Sequence, residues 1–119
     1  MKLRIIQIDT FTDKVLSGNP AAVCPLEEWL DAGVMQAIAA ENNLSETAFF
    51  VPADGGGYAL RWFTPNVEVG LCGHATLAAG EVVLSDIEPG AAAASFASKS
   101  GALTVSRDGA NLLMDFPAP

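Results

Sequence analysis

At 119 residues the chain is the size of one domain, able to bury roughly two-thirds of the surface that its unfolded form exposes. Half of the residues are hydrophobic and 17% are charged, which argues for a compact globular chain and against a disordered one. Six Lys and Arg against fourteen Asp and Glu give a formal net charge of −8, so no basic surface is available to follow a phosphate backbone and nucleic acid is not an expected partner.

Lys2 and Arg4 interrupt a short apolar run ending at Asp9, a pattern of neither a signal peptide nor a membrane span. Residues 3 to 9 are rich in Leu and Ile without a helical period and read as a strand near the middle of a sheet. A loop through Asp13 to Gly18 follows. Asn19-Pro20 then restricts the backbone to extended or turn geometry, and Ala21 to Val23 reads as a short second strand.

Asp31 is placed to cap a helix running to about Asn42, with Leu30 and Met35 as a hydrophobic staple and with Val34 and Ile38 on one face. Gln36 and Glu41 are expected on its solvent side, and Asn42-Asn43 supply the conformations that end helices. Thr47 to Val51 and Tyr58 to Phe63 read as strands of a hairpin joined through Pro52 and Gly55-Gly56-Gly57, with Tyr58, Leu60 and Trp62 sharing a face. Ala75 to Leu84 is apolar around nearly its whole circumference, which predicts a helix buried inside the domain, its small residues letting strands wrap closely.

Glu88-Pro89-Gly90 marks a break in an internal loop. Ala91 to Ala97 reads as a strand despite its alanines, and Gly101 to Ser106 with Asn111 to Phe116 form a hairpin around Asp108-Gly109, pointing Leu112, Met114 and Phe116 inward. The pattern by itself predicts an α+β domain over residues 1–119. Two cysteines, Cys24 and Cys72, and one histidine are too few for a disulfide framework or a zinc cluster. A reducing cytoplasm is the expected setting, without metal or organic cofactor.

Asn43-Leu44-Ser45-Glu46-Thr47 places a carboxylate at a helix-to-strand junction, and Leu71-Cys72-Gly73-His74-Ala75-Thr76 places an imidazole where a helix begins. Two titratable groups converging on one cleft are suited to moving a proton. Glu46, fenced by Leu44, Phe49 and Phe50, is expected to be partly desolvated with its pKa raised. Against that stands the ordinary surface glutamate that caps a strand or meets a cation. His74 is suited to hydrogen-bonding a substrate carboxylate, or equally to satisfying a nearby carbonyl. The amides of Gly73, His74 and Ala75 at a helix N-terminus form an anion site worth up to about 2 kcal/mol when partly buried. Cys72 at the same terminus is a candidate for a depressed thiol pKa, or is a small buried residue.

Together with Phe11, Gly18-Asn19-Pro20-Ala21-Ala22-Val23, Met35-Gln36 and Met114-Asp115-Phe116-Pro117, these two motifs resemble the phenazine-biosynthesis PhzF-like family of isomerases, along nearly the whole chain. The resemblance implies one half of a diaminopimelate-epimerase-like fold, a mixed curved sheet or barrel wrapped around a buried central helix. It implies proton transfer on a small carboxylic acid, with Glu46 as the group that takes a proton from one carbon of a cyclohexadiene acid and returns it at another. Gly73 and His74 would bind the acid, and Ser45 and Asn19 would lie near it; both of these also have plain turn-forming explanations. Asp9 and Asp115, near strand ends, are expected to be structural or solvated.

Members of the family carry two similar halves facing each other across the site. This chain matches the first, stopping at Pro119 where the second would begin, and the aspartate and serine of the second half have no counterpart here. A complementing second domain or a homodimer is therefore an expected partner. The rival expectations are a non-catalytic assembly module whose uncovered apolar face pairs with another subunit, and a cysteine-based epimerase or racemase built on Cys72.

Overall fold

The small-residue run that begins at Gly73 becomes the axis of the molecule. The computed structural model describes the backbone of residues 3–12, 15–44, 46–70, 72–108 and 111–115, and within these the side chains outside 8–20 and 108–111. Its elements are β1 (Ile6–Thr12), β2 (Val15–Pro25), α1 (Ala32–Asn42), β3 (Glu46–Pro52), β4 (Tyr58–Phe63), β5 (Glu68–Val69), α2 (Gly73–Val82), β6 (Ala93–Ser98), β7 (Gly101–Asp108) and β8 (Asn111–Asp115). A π-helical turn, Val83–Ile87, extends α2.

The strands form one mixed sheet in the order β1-β2-β3-β4-β6-β7-β8, with β5 beside β4. Pairing is parallel for β2/β3 and β4/β6 and antiparallel elsewhere. Helix α2 touches β1 and β2 from one end of this order and β7 and β8 from the other. A sheet whose two ends reach the same helix must curl around it, and the architecture is the expected α+β arrangement of a mixed curved sheet wrapped around a buried helix.

Close wrapping depends on the composition of α2. A Cβ on Gly80 would sit 2.5 Å from Val105 of β7, nearer than any side chain tolerates, so glycine is what lets that strand pass. Ala75, Ala78 and Ala79 present similarly little bulk and are fully buried. The sheet supplies the volume: Phe50, Leu60, Trp62, Phe96, Leu103 and Val105 fill the concave side. Burial of each such large side chain contributes roughly 1.5–3 kcal/mol. Phe50 stacks edge-on against Tyr58 and Phe96, with centroids 5.1 and 6.0 Å away.

Strand alternation sends Phe49, Val51 and Phe63 to the convex side, where they meet Cys24, Met35 and Ala39 under α1. Asp31 caps α1 as expected, its carboxylate accepting from the Gly33 N–H at 3.0 Å. The helix ends at Asn43, left-handed at φ 53°. Leu30 and Met35 share this second core, but Val34 is exposed: the stripe facing β3 is the narrow one through Met35, Ile38 and Ala39, and Val34 falls outside it. Gln36 also departs from expectation, turning in so that Nε2 donates to Thr64 O at 2.9 Å.

Three strand expectations shift. The first strand begins at Ile6 and stands at one end of the sheet order, not in its middle. The second runs from Val15 to Pro25, because pairing with β1 continues through Asn19-Pro20. Leu112 and Met114 pack inward as expected, and Phe116 lies outside the described residues. Among the described residues no helix is long and apolar enough to cross a membrane.

Candidate active site

The left-handed turn at Asn43 ends α1 and delivers the chain to β3, whose first residue is Glu46, paired in parallel with Ala21 of β2. Twenty-six residues later the backbone is extended at Cys72, with φ −146° and ψ 108°, and α2 begins at Gly73. These two chain ends bring His74 Nε2 to 2.9 Å from Glu46 Oε2. The side chains are 25% and 19% exposed, respectively. Both facing atoms are fully shielded from solvent, yet their approach is too poorly aligned to form a hydrogen bond, and among the described residues neither has another partner. A shielded, unpaired polar atom is costly, on the order of 1–3 kcal/mol, so the pair is poised to accept a group that completes it.

Cys72 is the third member. Its sulfur, Glu46 oxygen and His74 nitrogen all lie within 4.8 Å of one another. Burial is the main force on the thiol and pushes its pKa up to about 11; the Glu46 carboxylate adds to this, while the Ala75 and His74 amides pull the other way. The depressed thiol expected of a helix N-terminus is thus reversed, because desolvation outweighs the dipole. Cys24 is pushed to about 11 by burial as well, and sits in the convex core.

A buried relay fixes this end of α2. Trp62 Nε1 donates to Thr76 Oγ1 at 3.0 Å, and that hydroxyl donates to Cys72 O at 2.7 Å, the carbonyl that also accepts the Thr76 N–H at 3.1 Å. The start of α2 is therefore tied to β4. On the opposite wall Asn42 Nδ2 reaches Thr47 Oγ1 at 3.4 Å, linking the end of α1 to β3. Among the described residues no side-chain oxygen caps α2, and the His74 and Ala75 amides face the Cys72 sulfur. The first N–H groups of that helix, like those of any α-helix, lack intrahelical partners and carry the positive end of its dipole.

The PhzC-PhzF family model, described as phenazine biosynthesis-like protein, matches residues 8–119. The chain belongs to this family. An isomerase of Pseudomonas aeruginosa, named as uncharacterized, is 58% identical over 118 residues, which are 99% of this chain and 45% of that relative. Another named in the same way, from Halalkalibacterium halodurans, is 48% identical over 123 residues, covering 99% of this chain and 44% of that one. The crystal structure of a PhzF-family phenazine biosynthesis protein from Enterococcus faecalis matches with a TM-score of 0.82 at 50% identity, over 91% of this chain and 41% of that one. The chain spans less than half the length of these relatives.

Within this PhzC-PhzF chain, Glu46, Gly73 and His74 come together as the motifs suggested. The fence around Glu46 is different. Phe49 points into the convex core, and Phe50 shares the Glu46 face but lies four residues along the strand, roughly 13 Å away. His74 and Cys72 stand in their place. Asn19 pairs with Thr10 on β2, two residues before the partner of Glu46, and its side chain lies outside the described residues, as does Ser45. Thr76 and Trp62 were not singled out for this role. Their signal was present: a threonine in an otherwise apolar helix and a tryptophan on an inward face each carry a polar atom that must find a partner once buried.

Proposed function

We propose that this chain supplies one half of an isomerase site that moves a proton on a small carboxylic acid, without a metal or organic cofactor. The Glu46 carboxylate takes a proton from a substrate carbon, becoming a carboxylic acid and leaving the electron pair delocalised into the conjugated acid. It then returns that proton at a different carbon, regenerating the carboxylate with no net change in composition. Positioned acid–base groups of this kind contribute about 10²–10⁴-fold. The Gly73 and His74 amides and the His74 ring hold the substrate carboxylate, stabilised by the helix N-terminus, which gives a strongly acidic protein the local positive feature that an anion needs. Asn19 and Ser45 are assigned to the same cleft as binding residues.

The observation that carries this reading is the 2.9 Å approach of Glu46 Oε2 to His74 Nε2, with both atoms shielded and neither hydrogen-bonded. A shielded carboxylate exchanges its proton with the substrate more readily than with bulk water. Since the chain spans 45% of its Pseudomonas relative, we assign residues 1–119 to a single domain that works against a complementing half, contributed by a second domain or a second copy. The two free thiols, in separate cores, fit a reducing cytoplasm.

The test is solvent-deuterium incorporation at one carbon of a cyclic unsaturated carboxylic acid. Exchange that disappears in Glu46→Gln supports the assignment. Full exchange in Glu46→Gln together with none in Cys72→Ser would transfer the role to the thiol, a reading that a pKa pushed up to about 11 already disfavours. Exchange absent under all conditions, in a chain that light scattering shows to be a stable oligomer, would favour an assembly module.

A further inference from the structure

Three donors of different chemistry meet at the start of α2: a carboxylate oxygen, an imidazole nitrogen and a thiol sulfur, all within 4.8 Å of one another. Counting only cysteines and the lone histidine hides this set, because the third donor is Glu46, twenty-six positions before Cys72 and on a different element. Two of the three donor atoms, Glu46 Oε2 and His74 Nε2, are sealed from water and, among the described residues, have no hydrogen-bond partner. An ion that accepts both lone pairs would remove that deficit.

We propose that Glu46, Cys72 and His74 bind a thiophilic divalent cation of the zinc class, and that its binding switches off the site. A mixed nitrogen, oxygen and sulfur set suits zinc or cobalt and is poor for magnesium or calcium, which take oxygen ligands. Three protein donors and one open position is a common zinc arrangement. Metal–ligand lengths of about 2.0–2.3 Å put tetrahedral donors roughly 3.3–3.6 Å apart. Glu46 and His74, at 2.9 Å, already stand at about that spacing, and the widest pair must close by only about 1 Å, within reach of a side-chain rotation. The Trp62–Thr76–Cys72 relay holds the backbone of the sulfur ligand from behind.

On binding, the Cys72 S–H gives its proton to the buffer, Glu46 and the His74 ring nitrogen donate lone pairs, and the ion sheds water; nothing is oxidised or reduced. The carboxylate that would accept a substrate proton then has its lone pair committed to the metal. Binding does not depend on the proton-transfer reading. The inhibition rests on it.

The experiment adds Co²⁺ to the purified, reduced and chelator-free protein and records its absorption. One equivalent is expected to give tetrahedral visible bands and a near-ultraviolet thiolate charge-transfer band, both displaced by Zn²⁺. Cys72→Ser should remove the charge-transfer band, Cys24→Ser should keep it, and Glu46→Gln should weaken binding by tenfold or more, with circular dichroism showing that each variant is folded. No thiolate band in the parent protein, or a band that survives Cys72→Ser, overturns the site. Deuterium exchange measured on the same samples separates the two claims. If exchange depends on Glu46 but no ion binds, the metal site falls and the base assignment stands. Should exchange continue with the ion bound, the metal site stands and Glu46 is not the base.

Discussion

At the C-terminal end of α2 the polar atoms near the helix have partners. Arg107 Nη2 donates to Leu84 O at 2.6 Å, the Glu88 N–H reaches back to Val83 O at 2.6 Å, Ser85 bonds to Glu81, and Tyr58 donates to the Glu88 carboxylate at 2.5 Å. The N-terminal end leaves one carboxylate oxygen and one imidazole nitrogen face to face, both shielded and, among the described residues, without an aligned hydrogen bond. One helix in one sheet therefore has a closed end that stabilises the fold and an open end that lacks a partner. Folding alone would favour closing both, so an end left open marks where a ligand belongs.

The contrast breaks first if mutations at the two ends do the same thing. Glu46→Gln is expected to cost about 10²–10⁴-fold in proton exchange while leaving thermal stability nearly unchanged, since the amide keeps the shape of the side chain and its contact with His74. Arg107→Met should do the reverse, lowering stability by about 1 kcal/mol through the lost carbonyl bond and leaving exchange intact. Equal losses of activity and stability in both variants would mean that the two ends are not distinct.

The chemical character of the open end is tested next by alkylation. A thiol raised from 9.0 to about 11 is ionised about a hundredfold less at pH 8 than an ordinary one, and the greater nucleophilicity of its thiolate recovers about tenfold, so Cys72 should react with iodoacetamide at least about tenfold more slowly than a model thiol. Rapid modification of Cys72 in the folded, metal-free protein would make the open end a thiolate site instead.

Two smaller effects sharpen the structural side. Gly80→Ala drives a Cβ into Val105 and should destabilise by roughly 1–3 kcal/mol in urea titrations, because the gain in helix propensity does not offset overpacking. At the closed end, burial and then Glu88 raise the Tyr58 phenol from 10.0 to about 12. The folded form thus holds the phenolic proton more tightly than the unfolded form does. Its contribution to stability is complete below pH 10 and is lost as pH rises toward 12. A Tyr58→Phe variant should show a shallower fall over that window.

Much of the fold was legible because it follows from local patterning. The apolar circumference of Ala75–Leu84 required burial, Asp31 and Asn43 marked the bounds of α1, and the triple glycine joined β3 to β4. Long-range placement was not. That β1 lies at one end of the sheet order depends on which strands pair, and that Val34 stays exposed depends on how wide a stripe β3 covers. The site divides in the same way. Glu46 and His74 stood out as chemistry-bearing residues in two motifs, whereas the direction of the Cys72 shift required knowing that burial exceeds the pull of two amides. Thr76 and Trp62 became meaningful only once an indole and a hydroxyl were placed 3.0 Å apart.

The most direct test of the open end is to titrate a cyclic unsaturated carboxylic acid into isotope-labelled protein and follow its amide and imidazole resonances, the ring signals being unambiguous because His74 is the sole histidine. The account predicts that Gly73, His74 and Ala75 shift together in a saturable manner while Ile87 and Glu88 stay still. Saturable shifts at Ile87 and Glu88 with a silent His74 ring would contradict it.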